Sequence, residues 1–330
     1  MQLHNRLGKK ELIEKIKAEP FKRKTLSFYR YTNIQNPQEF RNELYLRLAQ
    51  LQCNGRIYVA QEGINAQMSI PEHHVELFLA LLNHIEPLKQ MPIKWALDND
   101  PVSFLKLIIK VRPKIVADGL TDTVFDTSNV GNHLSPIEFH NLADNEDVVV
   151  VDMRNNYESE VGRFARAYCP NVNTFREEVE LVAKEFAGQK EKKMLLYCTG
   201  GVRCEKASAW LKHLGFKDVN QLHGGIIAYA NEIKAMGIKP KFLGKNFVFD
   251  DRLGERITNH VLSTCHQCGT SCDTHYNCAH DECHKLIIQC PTCRGKFAGC
   301  CSNACHNLLI QNSIVDFQAP LSFSVRECQS

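Results

Sequence analysis

Apolar and polar positions change rhythm several times along the chain, and each change predicts an element. Between residues 25 and 109 the order reads strand, helix, strand, strand, helix, strand. A β-rich run covers 26–31. Phe40, Leu44, Leu46 and Leu48 follow helical spacing across 37–51, and 56–60 and 64–70 read as strands joined through Glu62-Gly63. Pro71 is expected to open a second helix, where its missing N–H loses no hydrogen bond, with Val75, Phe78, Leu79 and Leu82 on one stripe. Residues 104–111 supply the last strand. The series predicts a ferredoxin-like α+β sandwich, a scaffold that leaves function open.

The pattern dissolves at Asp118-Gly119, and the polar stretch to 134 reads as a linker with a domain boundary near 125. Ser135-Pro136 then reads as an N-cap followed by proline in the first turn, and the valines at 148–151 as a strand buried on both faces. Helix 174–186, strand 193–197, helix 204–214, strand 219–222 and helix 226–236 follow. This alternation predicts a doubly wound parallel α/β domain, whose ligands bind at the carboxyl ends of strands, and Cys198 stands at such an end. The expected organisation is a basic helical segment over 1–24, a ferredoxin-like domain over 25–124, an α/β domain over 125–245, and a Cys-rich region with a tail over 246–330.

At 330 residues and 44% hydrophobic content, the chain can form two or three separate cores. The opening MQLHNRLGKK lacks the apolar centre of a signal peptide, and no stretch approaches the roughly 20 apolar residues of a membrane span. A cytoplasmic protein without membrane association is therefore expected, and its 15 cysteines point to thiol chemistry and metal binding rather than disulfides. A net charge of +3 does not by itself argue for nucleic acid. The basic residues are nevertheless clustered: Arg6, Lys9, Lys10, Lys15, Lys17, Lys22, Arg23 and Lys24 at the start, then Lys106, Lys110, Arg112 and Lys114, then Lys239, Lys241 and Lys245. The last two groups are candidate RNA contacts, although each alone also reads as a solvated face.

The densest chemistry lies in Tyr197-Cys198-Thr199-Gly200-Gly201-Val202-Arg203-Cys204-Glu205-Lys206, between a strand and a helix. Glycines there let successive backbone N–H groups turn inward, and the helix N-terminus adds positive potential, so the loop can cradle a thiolate or persulfide at Cys198. A shift of about two units from the free value near 8.5 makes thiolate the major form at neutral pH. Arg203 is expected to complete the cradle or hold a bound anion, and the Cys198 sulfur to be anionic and accessible at the mouth of the α/β domain. Cys204 reads as a resolving thiol or as packing, and Lys206 as added positive potential or a surface lysine. The bland alternative is that Cys198 is an inert buried residue, which leaves the Gly-Gly pair and the arginine without a reason.

Ten cysteines fall between Cys265 and Cys305. Cys265/Cys268, Cys278/Cys283, Cys290/Cys293 and Cys301/Cys305 are spaced as ligand pairs for tetrahedral zinc. An alternating arrangement puts Cys265, Cys268, Cys290 and Cys293 on one ion and Cys278, Cys283, Cys301 and Cys305 on another, with Cys272 and Cys300 left over. His266, His275, His280 and His284 are possible substitutes. So few large apolar residues occur here that the segment needs metal or disulfides to fold, and an iron–sulfur cluster is the alternative to zinc.

The loop CTGGVR, the segment Asp152-Met153-Arg154-Asn155-Asn156-Tyr157-Glu158 with Gly162, and Gly224-Gly225-Ile226 together resemble the rhodanese superfamily. The loop length resembles that of sulfur-handling members rather than the related phosphatases, and Asp152 and Arg154 resemble the superfamily's structural ion pair. With Glu62-Gly63-Ile64-Asn65-Ala66-Gln67, CTGGVRCEKASAWLKH, GKNFVFDDRLGERI from Gly244 and CHQCG from Cys265, the chain is similar to the bacterial tRNA uridine hydroxylase family from about residue 4 to Cys305. Val202 and Ala66 depart from that family's frequent isoleucine and glycine.

This resemblance implies oxygen-dependent conversion of the wobble uridine of tRNA to 5-hydroxyuridine, with Cys198 essential. Haem, flavin and two-His-one-carboxylate iron signatures are absent from the sequence, so neither flavin nor haem is expected, and the uracil ring is the expected source of electrons towards oxygen. In one scheme the Cys198 thiolate adds to uracil C6 while Arg203 and the loop N–H groups steady the charge; a Cys198 persulfide is the competing state. Tyr157 or Tyr229 could stack on a base that has left the anticodon, or simply pack a core. Two other functions compete: a sulfurtransferase carrying sulfane sulfur on Cys198, and a non-enzymatic zinc-dependent RNA-binding adaptor.

Overall fold

The computed structural model describes residues 8–98 and 103–318. Arg6, the side chains of Lys9 and Lys10, and the tail beyond residue 318 lie outside that description. The chain forms two compact units, dividing after His260.

Helix α1 (Lys9–Lys17) leads into the N-terminal sheet. Its elements are β1 (Arg23–Tyr31), α2 (Pro37–Gln50), β2 (Asn54–Ala60), β3 (Gly63–Pro71), α3 (Val75–His84), β4 (Lys94–Trp95) and β5 (Leu107–Val111). The strands lie in the order β4-β1-β3-β2-β5. The fourth strand of the ferredoxin-like sandwich is thus the two-residue β4, antiparallel to β1, while β5 is an added edge strand parallel to β2. The expectation that 104–111 closes the sandwich is corrected, because two residues of β4 are too few to leave a periodic signal. Pro71 is likewise the end of β3 rather than the start of a helix; one short 3-10 turn separates it from α3.

Strict alternation makes this sheet two-faced. Leu26, Phe28, Ile57, Val59, Ile64, Ala66, Met68 and Ile70 pack under Leu44, Leu48, Phe78 and Leu82 of the two helices. The opposite face carries Ser27, Tyr29, Arg56, Tyr58, Asn65 and Gln67. Register lines these up as two rows, Ser27–Gln67–Arg56 and Tyr29–Asn65–Tyr58.

The α/β domain begins inside the expected linker with β6 (Asn132–Leu134). It continues through α4 (Pro136–Leu142), β7 (Val148–Asp152), α5 (Asn156–Ser159), β8 (Gly162–Phe164), α6 (Phe175–Glu185), β9 (Lys193–Tyr197), α7 (Val202–His213), β10 (Asp218–Leu222) and α8 (Gly225–Ala235). Ser135 caps α4 reciprocally with Glu138. The parallel sheet has the order β6-β10-β9-β7. Phe175, Val179, Val182, Ala207 and Leu211 cover one side of it, and Phe139, Ala143, Ile226 and Ile233 the other, so it is doubly wound. Strands β11 (Phe242–Asn246) and β12 (Glu255–Arg256) extend β8 into a small antiparallel sheet, which keeps residues 246–260 with the first unit.

The second unit contains β13 (His275–Asn277) paired with β14 (Leu286–Ile288), then α9 (Pro291–Lys296) and α10 (Asn303–Gln318). Among the described residues no helix is long and apolar enough to cross a membrane.

Candidate active site and metal centres

Strand β9 ends at Tyr197, and the next residue is Cys198. The Gly201 N–H donates to its sulfur at 3.1 Å. Gly201 has φ +101°, and a methyl there would lie 2.8 Å from the Tyr29 hydroxyl oxygen, so both the conformation and the space demand glycine. The second glycine loop braces the first: Ile226 N–H donates to Cys198 O at 3.0 Å and Ile227 N–H to Thr199 O at 3.2 Å. A Cβ on Gly225 would meet both carbonyl oxygens at 2.6 Å, which accounts for the Gly-Gly-Ile motif.

Burial raises the Cys198 thiol pKa. The Cys204 hydrogen bond, the Arg203 guanidinium and the backbone N–H groups of Arg203 and Cys204 outweigh it and bring the value down to about 5. Cys204, fully buried, is pushed well up, first by burial and then by its neighbour's charge, so it acts as the donor of the pair.

Two expectations about this loop need correcting. Arg203 does not hold an open anion site: Nη1 and Nη2 bind Glu158 Oε1 and Oε2 at 2.6 and 2.9 Å, and Nη2 reaches Thr199 Oγ1 at 3.3 Å. It acts on Cys198 through its charge. Nor is Cys198 openly accessible, having 0% exposure; it lines a cavity of about 440 Å³. That volume lies within the roughly 300–1,000 Å³ of small-molecule sites.

Thr199, Gly200, Val202 and Arg203 share the cavity wall with Cys198, and the polar face of the N-terminal sheet supplies the facing side: Ser27, Tyr29, Arg56, Tyr58, Asn65 and Gln67. Lys94 enters from β4, and Phe249, Asp250, Arg252 and Glu255 from the stretch after β11. Sequence reading missed Tyr29, Lys94 and the partner roles of Glu158 and Glu205, because each is brought to the loop from a distant element. The motif residues around Glu62 and Phe247 build this enclosure. Glu62 accepts from Ile115 N–H at 2.8 Å and pairs with Lys206 at 2.7 Å, while Phe247 packs edge-on against Tyr157.

Several candidate cations turn out to be structural. Lys206 is 2% exposed and is shared by Glu62 and Asp122, so it is neither a surface lysine nor a cavity residue. Lys114 is held by Asp118, Asp122 and Leu120 O, and Lys241 by Asp144 and His140 O. Lys110, Arg112 and Lys239 are exposed, and Lys106 and Lys245 are half-buried. Arg112 lies 5.9 Å from the Tyr58 ring centroid, at the edge of the cavity-facing sheet. Tyr229 is fully buried and bonds His140 and Lys241 N–H, which makes it core. Asp152 and Arg154 form a fully buried bidentate pair at 2.7–2.8 Å, with Arg154 also bonding Gly162 O at 2.6 Å.

In the second unit the sulfurs of Cys265, Cys268, Cys290 and Cys293 lie within 4.8 Å of one another, as do those of Cys278, Cys283, Cys301 and Cys305. The S–S spacings of 3.6–3.7 Å suit a tetrahedral ion, since thiolates about 2.3 Å from zinc sit about 3.8 Å apart. Backbone N–H groups of Cys290 and Cys301 donate to Cys265 and Cys278 at 3.3 Å, favouring thiolate there. Cys272 and Cys300 belong to neither set.

Three family models match in succession: the UPF0176 acylphosphatase like domain over residues 23–115, the rhodanese-like domain over 135–232 and the rhodanase C-terminal model over 243–306. Curated relatives match across all three. A tRNA uridine(34) hydroxylase from Leptospira interrogans is 54% identical over 89% of this chain and 80% of its own length. The chain belongs to the tRNA uridine(34) hydroxylase family. Proteins of the same name from Photorhabdus laumondii and Escherichia fergusonii are each 50% identical over 89% of the chain, covering 84% and 85% of those proteins. On this chain the three family models fall on the N-terminal sheet, the α/β domain and the stretch that runs from β11 into the Cys-rich unit described above.

Proposed function

We propose that this chain hydroxylates the wobble uridine of tRNA at C5, with Cys198 as the attacking sulfur and molecular oxygen as the source of the added atom. The carrying observation is a thiolate-favouring loop set into one wall of a cavity whose facing wall is a polar and aromatic sheet surface. Tyr58 offers a ring face, and Gln67 with Asn65 Oδ1 offers a donor and acceptors suited to the imide edge of a uracil that has left the anticodon stack, while the Tyr29 ring lies under Lys94 and the Asn65 amide nitrogen donates to Ile115 O. Exposed Lys110 on β5 and Arg112 just after it continue that surface and suit the flanking phosphates.

The thiolate adds to C6, which makes C5 electron-rich enough to react with oxygen. One oxygen atom bonds to C5 and the other leaves as water, with the two electrons and the net two protons supplied by a cellular dithiol that becomes a disulfide. Loss of the C5 proton then breaks the S–C6 bond, restoring C5=C6 and the Cys198 thiolate. The protein works in the cytoplasm, where tRNA is found. Both cysteine quartets hold structural zinc in this reading: four thiolates complete each set and leave no open position for chemistry.

The test is nucleoside mass spectrometry of tRNA from cells lacking the protein. 5-Hydroxyuridine should be lost, should return with the wild-type gene but not with C198S, and should carry label from ¹⁸O₂. Return of the nucleoside with C198S, or label from water alone, would overturn the reading.

A further inference from the structure

The cavity contains one cation that neither the loop motif nor the ion-pair networks explain. Lys94 sits on β4, paired with Ser27 of β1. The strand is tied to α8, where Asn231 Nδ2 donates to Trp95 O at 3.0 Å. This fastening lays the Lys94 stem along both glycine loops: its Cδ lies 4.0 Å from where a Cβ of Gly200 would stand, and its Cε 3.7 Å from the equivalent point on Gly224. Its ammonium is 4.3 Å from the centroid of the Tyr29 ring. Among the described residues no carboxylate forms an ion pair with it, whereas Lys114, Lys193, Lys206 and Lys241 are all paired.

The other cavity cations are occupied or distant. Arg203 is spent on Glu158, and Arg252 is bound by Asp250 and Glu255. Arg56 lies in the same cross-strand row as Lys94 but three strands away, about 14 Å at ordinary strand spacing.

We propose that Lys94 is a catalytic residue of the reaction at Cys198, its ammonium binding O4 of the target pyrimidine and stabilising the enolate formed when the sulfur attacks. The inference rests on the pyrimidine chemistry proposed above. In this step the S–C6 bond forms, the C5=C6 π pair moves into C5–C4, and the C4=O π pair moves onto O4. One negative charge passes from sulfur to oxygen, with no change in proton count or oxidation level. A cation held in the same cavity but aimed at O4 gains its interaction only as the charge leaves sulfur, which is how a fixed electrostatic group favours the transition state over the ground state. Burial lowers the Lys94 pKa to about 8, against the pull of Cys198 and Glu205, so the ammonium is still the major form at neutral pH.

The experiment compares wild type, K94M, K94Q and K94R on bulk tRNA from cells lacking the protein. It measures single-turnover formation of 5-hydroxyuridine at saturating enzyme, tRNA affinity by filter binding, and the rate of Cys198 adduct formation with 5-fluorouridine-substituted tRNA. Loss of one such donor lowers rates by about 10²–10³-fold. K94M and K94Q should fall by that order in both turnover and adduct rate with affinity within about threefold of wild type, and K94R should recover part of both. Turnover by K94M or K94Q within a few-fold of wild type overturns the assignment alone. An affinity loss that accounts for the whole rate loss also overturns it, by making Lys94 a phosphate contact. A wild-type protein that makes no 5-hydroxyuridine overturns the underlying function as well. If K94M does not fold, K94Q and K94R carry the same comparison.

Discussion

The Tyr29 hydroxyl donates to Glu205 Oε1 across 2.8 Å, joining β1 of the N-terminal sheet to the first turn of α7. Glu205 is held from its own domain by His133 at 3.0 Å and Gln221 at 2.9 Å, and these donors outweigh burial to keep it ionised. Tyr29 also underlies the Lys94 ammonium and closes over Gly201. Together with Tyr31, whose hydroxyl donates to Val202 O at 3.2 Å, Tyr29 thus helps set the distance between the sheet that offers recognition groups and the loop that offers the sulfur.

Tyr29→Phe tests that role. The ring and its packing remain, while Glu205 keeps two donors, so the stability loss should be about 1 kcal/mol in urea unfolding. Hydroxylation should fall by up to about tenfold, the kinetic equivalent of about 1.4 kcal/mol. An unchanged rate would show that the hydroxyl does not set the cavity's geometry.

The Cys198 thiolate should titrate far below an ordinary cysteine. Alkylation by iodoacetamide, located by mass spectrometry, should reach half its maximal rate near pH 5 and be flat through neutrality. Because the folded value is depressed, this ionisation stabilises the fold fully above the unfolded pKa near 8.5. The stabilisation shrinks as pH falls and is gone once pH has dropped through about 5. Cys204→Ala removes the hydrogen-bond donor and should move the alkylation midpoint upward. A wild-type midpoint near 8.5 would sink the anion-cradle account.

What the sequence revealed and what it hid divide by distance along the chain. Cys198 and its amide cradle are contiguous, and the zinc-type pairs repeat at short spacing, so both can be read residue by residue. The doubly wound domain was legible because its strands and helices are long enough to show their periods. Strand β4 was not, since two residues carry no period, and its function is to deliver Lys94. Arg203 and Glu158 are 45 residues apart, and Tyr29 and Glu205 are 176 apart. Nothing local marks such partners. For the same reason Lys206 and Lys241 read as free charges until the acids beside them are seen, whereas Lys114 pairs with Asp118 only four residues on.

The pair of Arg203 and Glu158 predicts an asymmetric mutational response. The Glu158 side chain is fully buried, so Arg203→Met should strand a charge and destabilise by about 3–5 kcal/mol. Changing Glu158 to Met in the same protein should recover much of that loss, because removing both charges removes the desolvation penalty. The double variant should still show a raised Cys198 midpoint, since the guanidinium's field is gone. A chemical-denaturation cycle combined with the alkylation titration separates the two effects. Equal losses in the single and double variants would mean the pair is not a coupled unit.

The two cysteine quartets make the last prediction, because their ligand sets do not overlap. Elemental analysis of the purified chain should find two zinc ions per molecule. Cys293→Ser should release the ion of the first set and spare the second, whereas Cys283→Ser should do the reverse. Thiolate ligation also competes with protons, so metal should be lost as pH falls, and a chelator should strip the unit and increase its susceptibility to protease. Few large apolar side chains lie between Cys265 and Cys305, which is why the order of that segment should depend on the ions rather than on a hydrophobic core. Two outcomes would contradict this: a visible chromophore with iron in place of zinc, or an apo protein whose residues from Val261 onward resist protease as well as the metal-loaded form does.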